Sequence, residues 1–133
     1  MNLLNEIGVY IHIPFCSSKC YYCDFKSVSG SEDDKKKYVE YLIKEIDLYK
    51  DELKNMIIST IFIGGGTPSI ISKEDMGKII NRLKINFNIK EDCEITIECN
   101  PGTIDFDKLL IYKEIGINRL SIGLQTYNDI ELK

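Results

Sequence analysis

The sequence contains no Ala and no Trp, only two Arg and a single His. Set against 23 Ile and 15 Lys, this is the codon bias of an AT-rich genome and says little about chemistry. A net positive charge is also missing. The formal net charge is −4 and the pI about 5.1, so no overall positive field draws the chain to nucleic acid or to an anionic membrane. Long apolar runs are missing too; the longest are strand-length, and none would span a bilayer. The opening residues, MNLLNEIGVY, lack a basic segment followed by an apolar one, so no secretory signal is read. The expected location is the cytoplasm, where thiols stay reduced. Internal repeats and low-complexity tracts are absent.

What is present is a 133-residue chain, 44% hydrophobic and 29% charged, with mean hydropathy −0.14. That suffices for one domain with a real core. The five cysteines are the unusual feature, because three fall in HIPFCSSKCYYCDF, residues 12–25. Clustered cysteines in a reducing compartment read as metal-binding or catalytic. Three is too few to close a tetrahedral metal site and odd for disulfides.

Strand and helix signals alternate along the chain. GVYIHI (8–13) is a β-branched and aromatic run that reads as a strand, and the cysteine segment follows it as a loop. Ser31 and Asp34 form a capping pattern ahead of an amphipathic helix over 32–54, with Val39, Leu42, Ile43, Ile46, Tyr49 and Leu53 at helical spacing. IISTIFI (57–63) reads as a strand buried on both faces. Ser72 and Asp75 open a second helix, lined by Met76, Ile79, Ile80, Leu83 and Phe87. CEITIEC (93–99) is a third strand, 105–115 a third helix stopped by Gly116, and NRLSIGL (118–124) a fourth strand. TYNDIELK reads as the opening turn of a fourth helix.

Such alternation implies an α/β fold with parallel strands and right-handed crossovers. Two architectures fit: an open doubly wound sheet, or part of a (β/α) barrel. A whole barrel takes roughly 250 residues, so this chain would supply about the first four β/α units. The expectation is the N-terminal portion of a longer protein, inactive alone. In parallel α/β folds ligands bind at the carboxyl ends of strands. The odd residues converge there: the cysteines after the first strand, GGGTP (64–68) after the second, Glu98 to Pro101 at the third, Gln125 after the fourth.

Cys16, Cys20 and Cys23 have C-x₃-C-x₂-C spacing. Zinc would need a fourth ligand, from His12, Cys93 or Cys99, and there is no second C-x₂-C pair. An iron–sulfur cluster held by three thiolates leaves one iron open to a substrate or cofactor. Cys93 and Cys99 lie at even spacing on one strand face and read as packing. His12 alternates with Tyr10 and is left without a role. GGGTP lacks the G-x₄-G-K-[ST] pattern of a phosphate loop and by itself reads equally as a strand-to-helix turn.

The C-x₃-C-x₂-C string resembles the signature of the radical S-adenosylmethionine (SAM) superfamily. The wider YIHIPFCSSKCYYCDF resembles the oxygen-independent coproporphyrinogen III oxidase family, whose next motifs are matched in order by GGGTPS, TIECNPGT and RLSIGLQTYND. The resemblance implies a partial barrel of the radical SAM type. It implies a [4Fe–4S] cluster on Cys16, Cys20 and Cys23, with SAM chelating the fourth iron and cleaved by an electron from the cluster. It further implies SAM contacts from Tyr10, Gly65, Gly66, Thr67, Glu98 and Gln125. Within this family, Phe25 stands where the oxidases carry a further cysteine, and this resembles the heme-chaperone branch. That branch implies heme or another tetrapyrrole as ligand, a heme-acceptor protein and an electron donor as partners. The alternative is the oxidase, an oxidoreductase of the coproporphyrinogen dehydrogenase type.

Overall fold

The four expected strands and the first three expected helices form, and a computed structural model describes residues 5–17, 27–123, 127, 128 and 130. In order they are β1 (Asn5–Ile13), α1 (Glu32–Leu48), β2 (Met56–Gly65), α2 (Lys73–Asn86), β3 (Asn88–Cys99), α3 (Phe106–Ile115) and β4 (Arg119–Ile122). Single 3₁₀ turns at Pro68–Ile70 and Pro101–Thr103 follow β2 and β3. The caps work as their sequences suggest. Ser31 and Asp34 form a reciprocal capping box on α1, and Ser72 accepts from the Asp75 N–H on α2. Gly116 ends α3 in the left-handed region at φ 103°. Of residues 126–133, where the fourth helix was expected to open, only 127, 128 and 130 are among the described residues.

All pairings are parallel, and the strand order is β1-β2-β3-β4. A doubly wound sheet reverses direction at a switch point. Here no reversal occurs, and right-handed crossovers that step the same way put every helix on one side. Consistently, α1 packs on α2 and α2 on α3. The winding is that of an arc of a (β/α) barrel.

Strand periodicity then divides the sheet into two unlike faces. Under the helices lie Ile11, Ile13, Ile61, Ile63, Ile95 and Ile97, all buried. Burying each such side chain is worth about 1.5–3 kcal/mol, so the fold is held from this side. The opposite, open face carries in register Tyr10, Phe62, Thr96 and Arg119, and one step on His12, Gly64, Glu98 and Ser121. β4 is exposed along its length.

Two boundaries differ from the sequence reading by five residues or more. The helix expected to reach residue 54 ends at Leu48, yet Leu53 still packs against the core. Apolar spacing reports which side chains touch the core, and a turn closed by the Leu53 N–H on the Tyr49 carbonyl (3.0 Å) keeps that spacing without helix. β3 begins at Asn88, five residues before the expected start. The charged run Lys90–Asp92 hides this extension, which a register shift at Ile58/Thr60 lets pair with the start of β2.

No helix among the described residues is long and apolar enough to cross a membrane.

Candidate functional site

The site begins where β1 runs out. Phe15 turns back into the core and packs edge-on against Tyr38, with ring centroids 5.4 Å apart. The Tyr38 hydroxyl donates to the His12 carbonyl at 2.5 Å. Beyond Phe15 the chain leaves the sheet, and it returns at Val28. The Val28 N–H donates to the Pro14 carbonyl (2.8 Å), and the Cys16 N–H donates to the Val28 carbonyl (3.1 Å). This bridge clamps both ends of the cysteine segment. Cys16, Ser27, Val28 and Ser29 line a hollow beside it. Cys20, Cys23 and Phe25 lie outside the described residues.

β2 ends against the same place. The Gly66 N–H donates to the Ile13 carbonyl (2.8 Å) and the Thr67 N–H to the Phe15 carbonyl (2.7 Å). The Thr67 hydroxyl reaches Cys16 Sγ at 3.5 Å. Glycine is required here for physical reasons. Gly65 has φ 123°, a left-handed conformation that side chains resist, and a Cβ on it would stand 2.5 Å from the Ile13 carbonyl oxygen. A Cβ on Gly66 would stand 2.8 Å from Cys16 Sγ. The run GGGTP is therefore more than a turn: it brings bare backbone up to the first cysteine.

β3 supplies the carboxylate. Glu98 is half-buried on the open face, and its Oε2 accepts from the Gly65 N–H at 3.1 Å. A polar knot ties the two loops together. The fully buried Ser69 hydroxyl bonds to the Thr103 hydroxyl and accepts from the Asn100 N–H at 3.0 Å. Lys108 Nζ donates to the Ser69 carbonyl (2.5 Å) and the Thr103 carbonyl (3.2 Å). Burial lowers the pKa of that ammonium. Tyr10, two positions before His12, hydrogen-bonds its Nδ1 at 3.0 Å. Partial burial, and then the Glu98 charge, push the Tyr10 phenol upward, so it stays protonated near neutrality.

The structure thus brings Tyr10, Cys16, Gly65, Gly66, Thr67 and Glu98 to one end of the sheet. Gln125 falls outside the described residues. Cys93 and Cys99 lie under the helices, where burial raises both thiols, and their assignment to packing holds. His12 sits on the open face beside Tyr10 and is not a core histidine. The Ser69–Thr103–Lys108 knot left no sequence signal, because each residue is ordinary alone. Among the described residues no group of three or more potential metal-binding side chains occurs.

Comparison with known proteins agrees with this geometry. Residues 10–133 match the model of the radical SAM superfamily. The chain is 44% identical to the heme chaperone HemW of Buchnera aphidicola subsp. Schizaphis graminum, over 98% of its own length and 35% of that protein. It is 40% identical to heme chaperone HemW of Escherichia coli K12, over 98% of its length and again 35% of the relative. It superposes on coproporphyrinogen III oxidase (HemN) from Escherichia coli, described as a radical SAM enzyme, with TM-score 0.89 and 31% identity, over 95% of this chain and 29% of that one. The chain spans about a third of the length of these relatives.

Proposed function

The chain belongs to the radical SAM superfamily, and from that premise we propose that it forms the cluster- and SAM-binding part of a heme chaperone. Residues 1–133 would be the first four β/α units of a longer barrel. Cys16, Cys20 and Cys23 hold a [4Fe–4S] cluster, and Tyr10, Gly65, Gly66, Thr67, Glu98 and Gln125 receive SAM. When bound, this pair of cofactors supplies one-electron reducing chemistry.

The residues present fit such a group. One observation carries the reading: the Gly64–Thr67 backbone passes so close to Cys16 Sγ that a single added Cβ at Gly66 would collide with it. A plain strand-to-helix turn has no need of that approach. With the Gly66 and Thr67 N–H groups committed to the β1 side, what this segment has to offer a ligand is carbonyl oxygen, the right partner for an ammonium. The Thr67 hydroxyl points at the sulfur and orients it. Glu98, steadied by the Gly65 N–H, adds negative charge beside the same space. The sheet, covered by helices on its other face, keeps water from that side.

Chaperone is preferred to oxidase because Phe25 replaces a sulfur and because the similar curated proteins above are chaperones by name. The full-length protein, reconstituted under nitrogen, tests this. It should contain iron with acid-labile sulfide, give an electron paramagnetic resonance (EPR) signal after dithionite that SAM alters, and bind heme. Release of two CO₂ per coproporphyrinogen III would establish the oxidase instead. Zinc without sulfide would overturn the cluster.

A further inference from the structure

Phe62 belongs to none of the motifs, yet it faces the same space. It lies two residues before Gly64 on β2, on the open face, in register with Tyr10. The two rings stack nearly parallel, 21° apart in plane and 6.2 Å between centroids. Within residues 1–133, Tyr10 is 59% and Phe62 37% exposed. Their neighbours on this face are polar and already paired. Arg119 donates to Glu94 at 2.8 Å, and the Thr96 hydroxyl bonds the same carboxylate at 3.2 Å. Glu98 is held by Gly65. An aromatic pair set among such groups gains little from packing within the sheet. Gly64 adds a second observation. A Cβ there would lie 2.8 Å from Phe62 Cε1, 2.9 Å from Glu98 Oε2 and 3.1 Å from Tyr10 Cε2. The missing side chain lets both rings lean toward the carboxyl end of the sheet, under the site.

We propose that Phe62, backed by its stacking on Tyr10, is an aromatic floor on which the planar tetrapyrrole stacks, and so a binding residue for heme. This rests on the chaperone reading above and names where its ligand lies. Flat π-faces recognise a flat macrocycle through dispersion and offset stacking, worth about 0.5–1.5 kcal/mol per pair beyond area burial.

The test titrates full-length protein with hemin under nitrogen and follows the Soret band, for wild type, Phe62→Leu and Phe62→Trp. Phe62→Leu should weaken binding between about twofold and tenfold, the size of one lost stacking contact. Phe62→Trp keeps a ring and should bind as tightly as wild type, and heme should quench the added indole, read as the difference in fluorescence from wild type. Iron content and the SAM-induced EPR change should be unaltered in both. Equal hemin affinity in Phe62→Leu and wild type overturns the floor while leaving the chaperone reading intact. So does an unquenched indole, should the Leu variant fail to fold. Loss of the SAM response with hemin affinity retained assigns Phe62 to the cofactor and also overturns it. A wild type that binds no hemin removes the chaperone reading and the floor with it.

Discussion

At the residue scale, the site is a problem of backbone clearance, and glycine solves it. Gly65→Ala places a Cβ at φ 123° and 2.5 Å from a carbonyl oxygen. The expected cost is about 1–3 kcal/mol, read as a lower urea midpoint with an unchanged slope. Gly66→Ala tests function more directly. Its Cβ meets Cys16 Sγ and the Phe15 carbonyl, so the first thiolate must shift. Iron bound after anaerobic reconstitution should fall several-fold while the far-UV circular dichroism stays native. Retained iron would separate the glycine run from the cysteine site. These consequences were only half legible in the sequence. The run GGGTP advertises itself, but only the distances tell a turn from a cradle. His12 and Phe62 were harder. Alternation puts His12 on the face of Tyr10 and Phe62 on that of Gly64, yet a lone His or Phe in an apolar strand looks like core.

At the element scale, local chemistry and tertiary demand agree closely, which is why strands, caps and stops were readable. Where they part, the sequence misleads. Leu53 keeps helical spacing without helix, and Lys90–Asp92 extends a strand through charges because Lys90 finds Glu6 at 3.3 Å. Ser72→Ala removes the α2 cap and should cost about 1 kcal/mol of stability, measured by thermal or urea unfolding. Tyr112 on α3 runs the other way. It is buried, its hydroxyl is the one such buried side-chain oxygen or nitrogen without a partner among the described residues, and burial drives its pKa far up. An unpaired buried hydroxyl is a net cost, so Tyr112→Phe should be as stable as wild type or up to about 1 kcal/mol more so. The sign with pH follows. The folded protein holds this proton more tightly than the unfolded chain, so stability is full below about pH 10 and falls as pH rises above it. Tyr112→Phe should lose less stability than wild type across that alkaline range.

At the scale of the whole molecule, the two faces of the sheet divide the labour. Helices and isoleucines hold one face; the other face and the strand ends carry the candidate site residues. Among the described residues, Ile13 and Phe15 join the cysteine segment to the core beneath α1, α2 and α3, and the neck of that segment is closed by backbone hydrogen bonds to Val28. Folding is therefore expected not to wait for metal. A zinc finger behaves oppositely, being unfolded without its ion because binding energy is folding energy. The expected result is that stripping the metal from reconstituted protein, with chelator under mild oxidation, bleaches its colour and abolishes the EPR signal. Far-UV circular dichroism and cooperative unfolding should persist, with a midpoint lowered only by the mass-action term that any ligand of the native state contributes. Collapse of the secondary structure on demetallation would mean that the cysteines hold a structural ion on which the sheet depends, and the separation of faces argued here would be wrong.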